Sequence, residues 1–126
     1  MKALTLKQPF ATLICLGIKD VENRSWQTAY RGKLLIHSST KPYGNLKDSL
    51  LIEKYDHIDF EYEKLDSIEF INSAIVGEVE LIDIVTDSTS PWAQQGKYHW
   101  LLKDPLLYEH PILNVKGHLN LWKFNM

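Results

Sequence analysis

The stretch from Ala74 to Thr86 constrains the fold more than any other part of the chain. It is rich in β-branched residues and apolar on both of the faces that alternate residues of a strand present. A strand of this kind must be covered on both sides, which places it at the centre of a sheet. Gly77 within it has no side chain to pack and is expected at a bulge or where another piece of backbone comes close.

Shorter strand candidates surround it. Lys2–Lys7 alternates, Lys33–Ser38 reads as a firm strand, and Tyr98–Leu102, Leu106–Tyr108 and Leu119–Phe124 follow. Such a set of short strands separated by turn residues points to a closed barrel. Pro9 suits the first turn of a helix and Gly17 the left-handed position that ends one, so Pro9–Leu16 is expected as a short buried helix. Ser39–Gly44 is turn chemistry, and Asp87–Gly96, around Pro91-Trp92, is a loop long enough to cover something. Leu46, Leu50, Leu51, Tyr55 and Ile58 follow helical spacing, with Leu65, Ile68 and Ile71 as a second short helix. Residues 1–126 thus read as a single domain with a helical acidic insertion at about 42–71.

Composition narrows the class. A chain of 126 residues, 44% hydrophobic and 24% charged, forms an ordinary globular core without cross-links, and its single cysteine, Cys15, reads as a small buried hydrophobe. No stretch approaches the roughly twenty apolar residues of a membrane span, and Phe10–Leu16 is short for a signal-peptide core. The expected location is the cytoplasm, with no membrane partner. The net charge of -2 is unevenly spread. Residues 17–47 carry six Lys/Arg against Asp20 and Glu22, whereas residues 48–83 carry eleven acids against Lys54 and Lys64. The basic segment suits a phosphate backbone; the acidic one is either a solvated helical surface or a contact surface for a protein partner. The five histidines show no ligand-like spacing, so no metal and no cofactor is expected.

The chemistry concentrates at Gly17-Ile-Lys-Asp-Val-Glu-Asn-Arg24. If the chain leaves the helix at Gly17 and enters a strand at Val21, then Glu22, Arg24 and Trp26 share one face, with Lys19 in the turn beside them. A lysine, a carboxylate, a guanidinium and an indole together can grip a phosphate and stack on a base. The same charges at this spacing also form plain surface ion pairs.

Gly-x-Lys-x-x-Glu-x-Arg resembles the signature of the ASCH domain, a family of PUA-like β-barrels. Its flanks agree: Leu6-Lys-Gln-Pro-Phe-Ala11 before it, Ser25-Trp26 and Tyr30-Arg31-Gly32 after it, then Lys33–Ser38, Ala74–Leu81, Tyr98–Leu102 and Val115–Trp122. The resemblance implies an α+β fold, a PUA-like barrel of five or six strands with flanking helices. It also implies a cleft where the charged motif meets the end of the next strand, which adds His37, Ser38 and Lys41 to Gly17, Lys19, Glu22, Arg24, Trp26 and Arg31 as ligand-binding candidates. The expected partner is RNA or a nucleotide-like small molecule. Lys19 and Arg24 would meet phosphate or a carbonyl, Glu22 would orient them, Trp26 would stack, and Arg31 and Lys41 would add backbone contacts. Trp92 shares with Trp26 the best claim among the tryptophans to touch a ligand, while His37 alone also reads as a structural histidine.

One branch of the superfamily looks like amidohydrolases that deacetylate acetylcytidine with a lysine, a threonine three residues on, and a distant glutamate. Lys19 and Glu78 match the first and last, but Glu22 stands where the hydroxyl would be. A hydrolase of a modified nucleoside or of RNA, with Lys19, Glu22 and Glu78 as its chemical groups, is therefore the alternative, and a protein-interaction module the second alternative.

Overall fold

A computed structural model describes residues 1–44 and 68–125 of the chain. Among these residues it contains six strands and one helix, in the order β1 (Lys2–Leu6), α1 (Phe10–Cys15), β2 (Val21–Arg24), β3 (Gly32–Ser38), β4 (Ala74–Val85), β5 (Tyr98–Ile112) and β6 (Trp122–Lys123). The strands form one sheet in the order β2-β5-β4-β3-β1-β6, with only β1 and β3 parallel. This is the expected α+β, PUA-like barrel fold, a curled sheet accompanied by a short helix. Most of the expected helical insertion falls outside the described residues.

β4 is an inner strand, as its two apolar faces require. Both of its ladders shift register between Ile75 and Gly77. A Cβ on Gly77 would lie 2.2 Å from the carbonyl oxygen of Leu106 and 2.7 Å from Cys15 Sγ, so β5 and α1 close onto β4 only because this position is glycine. β3 is buried on both sides too: Leu34 and Ile36 join Leu4, Leu6, Ile14 and Trp100, while Leu35 packs with Ala3, Ile75 and Trp122. Each of these large side chains stabilises the fold by about 1.5–3 kcal/mol.

Two elements differ from the sequence reading. Tyr98–Leu102 and Leu106–Tyr108 belong to one fifteen-residue strand, β5. Asp104, at φ 50°, lies between the two expected pieces, and the β4–β5 pairing shifts between Glu78 and Glu80 as the strand passes it. The last strand shrinks to Trp122–Lys123, because Asn120 adopts φ 60° and turns the preceding residues into a loop.

α1 sets the position of everything that follows it. Gln8 closes its first turn, its Oε1 accepting from the Thr12 N–H at 3.0 Å and its Nε2 donating to Thr12 Oγ1 at 2.7 Å. Gly17, at φ 80°, ends it, and the N–H groups of Ile18 and Lys19 both turn back to the carbonyl of Leu13. That turn delivers Lys19 to the start of β2. β2 and β6 are the two edges of the sheet. Arg24 closes a seam between β2 and β1, the neighbour of β6, its Nη2 donating to the Thr5 carbonyl at 2.8 Å.

Candidate functional site

A cavity of about 390 Å3 opens at this seam. Lys19, Glu22, Asn23 and Arg24 line it from the β2 side, and Thr5, Leu6 and Lys7 from the end of β1. Phe10, Tyr43 and Trp92 supply aromatic wall, and His118, Leu119 and Asn120 form part of the rim.

The charged groups are bound to one another. Lys19 Nζ donates to Glu22 Oε1 at 3.0 Å and to the Val21 carbonyl; Arg24 Nε donates to Glu22 Oε2 at 3.0 Å, and Arg24 Nη2 lies 2.9 Å from the same oxygen in an ion pair. Burial of Glu22 pushes its carboxyl upward, but the charges and hydrogen bonds of Lys19 and Arg24 outweigh it and hold the group below the usual carboxylate range. A carboxylate so held is a weak proton acceptor, which is unfavourable for a general base. Two cations around one anion leave a positive balance, and the protons they still have to offer are donors. The site therefore suits a ligand oxygen, anionic or carbonyl.

Lys19 is only 5% exposed. Its Nζ lies 5.9 Å from the Phe10 ring centre and 5.7 Å from that of Trp92. Such cation–π contacts are strengthened by the exclusion of water. Phe10 in turn meets Tyr43 at 5.1 Å between ring centres, and Tyr43 is half exposed at the mouth.

Several sequence candidates stand elsewhere. β2 ends at Arg24, so strand alternation does not carry Trp26 into the cavity; its ring packs edge-on against Trp100 at 4.8 Å, and its carbonyl accepts from the Trp100 indole. Arg31 caps the carbonyls of Thr28 and Tyr30 and reaches Asp83 at 3.5 Å. Lys41 is exposed and its carbonyl accepts from Ser39 Oγ; Ser39, its neighbour in the same turn, is the one that lines the cavity. Gly17 shapes the turn without lining this cavity, and a Cβ on it would press on Pro105 at 3.1 Å. Glu78 bonds Tyr108 Oη at 2.8 Å and Lys33 Nζ at 3.1 Å and takes no part in the lining.

His37 and Ser38 lie beneath the site. Ser38 Oγ bonds the backbone of Ala74 and is fully buried. The carbonyl of Val115, 2.7 Å from His37 Nε2, can only accept, so Nε2 carries the proton and Nδ1 accepts from Thr5 Oγ1 at 3.1 Å. The same hydroxyl oxygen accepts from the Trp122 indole at 3.1 Å. Gly117 lies so close that a Cβ would stand 2.7 Å from the imidazole. His37 thereby anchors the 115–120 loop that forms the rim. Burial, foremost, keeps the imidazole below its ordinary pKa, with His118 nearby adding to the effect.

Lys7, Phe10, Asn23, Tyr43, Gln94 and the rim residues were not among the sequence candidates. Lys7 and Phe10 fall in the flank that carried the resemblance, and Asn23 falls inside the motif; the contribution of Tyr43, Gln94 and the rim depends on tertiary placement that spacing does not reveal.

Among the described residues no cluster of His, Cys, Asp or Glu could hold a metal ion, and no helix is long and apolar enough to cross a membrane. A family model described as the ASCH domain matches residues 4–112. The chain belongs to the ASCH domain family. Two curated relatives, both named Activating signal cointegrator 1, from Homo sapiens and Mus musculus, are each 29% identical to it, over 140 and 134 residues. The alignments cover 97% of this ASCH chain and 22% of each relative, so it spans about a fifth of their length.

Proposed function

We propose that this ASCH domain binds RNA, or a nucleotide-like ligand, in the cavity at the barrel seam. The observation that carries the reading is the Lys19–Glu22–Arg24 triad, with Lys19 buried and Glu22 and Arg24 partly exposed, set beside the Phe10–Tyr43 ring pair. A cationic group that offers donors meets a phosphate or base carbonyl oxygen, and the half-exposed Tyr43 ring beside it supplies a stacking surface. Membership of the ASCH family supports an RNA-related role at a coarse level. The cavity volume lies within the roughly 300–1,000 Å3 of small-ligand sites, which favours a single nucleotide or a splayed-out base over a length of duplex. In this reading Arg24 meets phosphate, Lys19 is the second positive charge, Glu22 fixes both, Tyr43 replaces Trp26 as the stacking ring, and Lys7 extends the contact along the chain. Arg31 and Lys41 serve at most the outer course of a bound strand.

The test is binding of a fluorescein-labelled single-stranded RNA hexamer as a function of salt. With two or three phosphates neutralised, log Kd should rise with log salt at a slope of about 1.5–2, and Arg24→Ala should both weaken binding and remove about 0.7 of that slope. Binding indifferent to salt and to Arg24 would refute the assignment.

A further inference from the structure

The motif residues that carry no obvious ligand chemistry have a role of their own. We propose that Asp20 and Asn23 are positioning residues, which hold the Trp92 loop over Lys19 and so build one wall of the cavity.

The polar atoms of Trp92 turn to the segment 18–23. Its indole N–H donates to the Ile18 carbonyl at 3.0 Å. Its carbonyl accepts from Asn23 Nδ2 at 2.9 Å. Its backbone N–H donates to Ser90 Oγ at 3.2 Å, and that hydroxyl passes its own proton to Asp20 Oδ1 at 2.6 Å. Asn23 makes a second bond, its Oδ1 accepting from the Gln94 N–H at 2.9 Å. The carboxamide thus reads a carbonyl and an N–H two residues apart, as the edge of a neighbouring strand would. A carboxylate at position 23 has no proton for the Trp92 carbonyl, and a serine offers a single oxygen for both partners.

The consequence falls on Lys19. Trp92 is 4% exposed, and the Lys19 ammonium sits 5.7 Å from its ring. The charges and the clips alternate along one segment: Lys19, Glu22 and Arg24 face the ligand, while Ile18, Asp20 and Asn23 hold the loop that covers them. Folding β2 therefore assembles charge and wall together, although 69 residues of sequence separate Asn23 from Trp92.

The effect on affinity rests on the ligand reading above; the positioning itself does not. Nitrogen-edited NMR of the full chain reads the Trp92 indole resonance, amide exchange reads the Gln94 N–H, and the labelled RNA hexamer reads affinity. Asn23→Ala should move the indole resonance, raise Gln94 exchange at least ten-fold, and weaken RNA binding about ten-fold. Asp20→Asn keeps an acceptor for the Ser90 hydroxyl and should retain the wild-type indole position, whereas Asp20→Ala should shift it. A Trp92 indole and Gln94 amide unchanged in Asn23→Ala would overturn the proposal, as would Asp20→Asn behaving like Asp20→Ala. If the wild type fails to bind the hexamer, the RNA reading falls, and the indole and exchange results still decide the role of Asp20 and Asn23.

Discussion

Replacing Glu22 by glutamine tests the electrostatic centre of the site with almost no change of shape. The carboxylate has a 12% exposed side chain and is shared by Lys19 and Arg24 at 2.9–3.0 Å. Removing one partner from a buried ion pair costs about 3–5 kcal/mol, because the remaining charge stays buried without compensation. An amide oxygen can still accept from one of the two cations and recovers about 1 kcal/mol. The amide nitrogen, however, meets a donor on the other. The net expectation is a loss of about 2–4 kcal/mol, which for a domain of this size lowers Tm by about 10 °C at pH 7. The pH dependence has a definite sign. Because the native pKa of Glu22 is depressed, its stabilisation is complete above the unfolded carboxyl value of about 4.3 and is lost as pH falls through the native value. The gap between wild type and Glu22→Gln should therefore be constant from pH 7 to about 5 and shrink below that, as measured by thermal unfolding. An unchanged Tm at pH 7, or a gap that persists undiminished on acidification, would refute the reasoning.

Three further outcomes are expected. Gly77→Ala drives a methyl group into the Leu106 carbonyl and Cys15 and should cost at least about 3 kcal/mol in urea unfolding; a loss below about 1 kcal/mol would show that β4 and β5 can separate freely at this point. The Cys15 thiol, pushed up to about 12 by burial foremost and by Glu78, should resist iodoacetamide at pH 8 in the native protein and react once the chain is unfolded. His37 should titrate below pH 6.5 in an NMR titration, because burial disfavours its charged form. Since the unfolded chain binds the proton that the native ring refuses, this residue makes stability fall as pH drops below about 6.5, and His37→Gln should remove that part of the decline.

Much of the fold was legible because its signals are local. The apolar double face of Ala74–Thr86 marks an inner strand, Gly77 marks a close approach, and Pro9 and Gly17 bracket a helix found at Phe10–Cys15. The charged half of the site was legible for the same reason, since Lys19, Glu22 and Arg24 lie within six residues. Its aromatic half was less so. Strand alternation assigned Trp26 to the ligand face, but alternation stops where β2 stops, at Arg24. Phe10 and Trp92 meet Lys19, and Tyr43 meets Phe10, only through the return of three separate segments, and no periodicity announces that. His37 was open to two readings, ligand-binding and structural, and no local signal separates them, because its partners Thr5 and Val115 lie 32 and 78 residues away in sequence.

The central claim is that the seam cavity is the ligand site, and a chemical-shift titration with the unlabelled RNA hexamer tests it most directly. The account predicts saturable shifts confined to Lys19–Arg24, Trp92–Gln94 and His118–Asn120, with the Arg24 Nε resonance among the most affected, and the loss of those shifts in Arg24→Ala. Saturable shifts centred on Arg31 and Asp83, with the cavity residues unmoved, would contradict it.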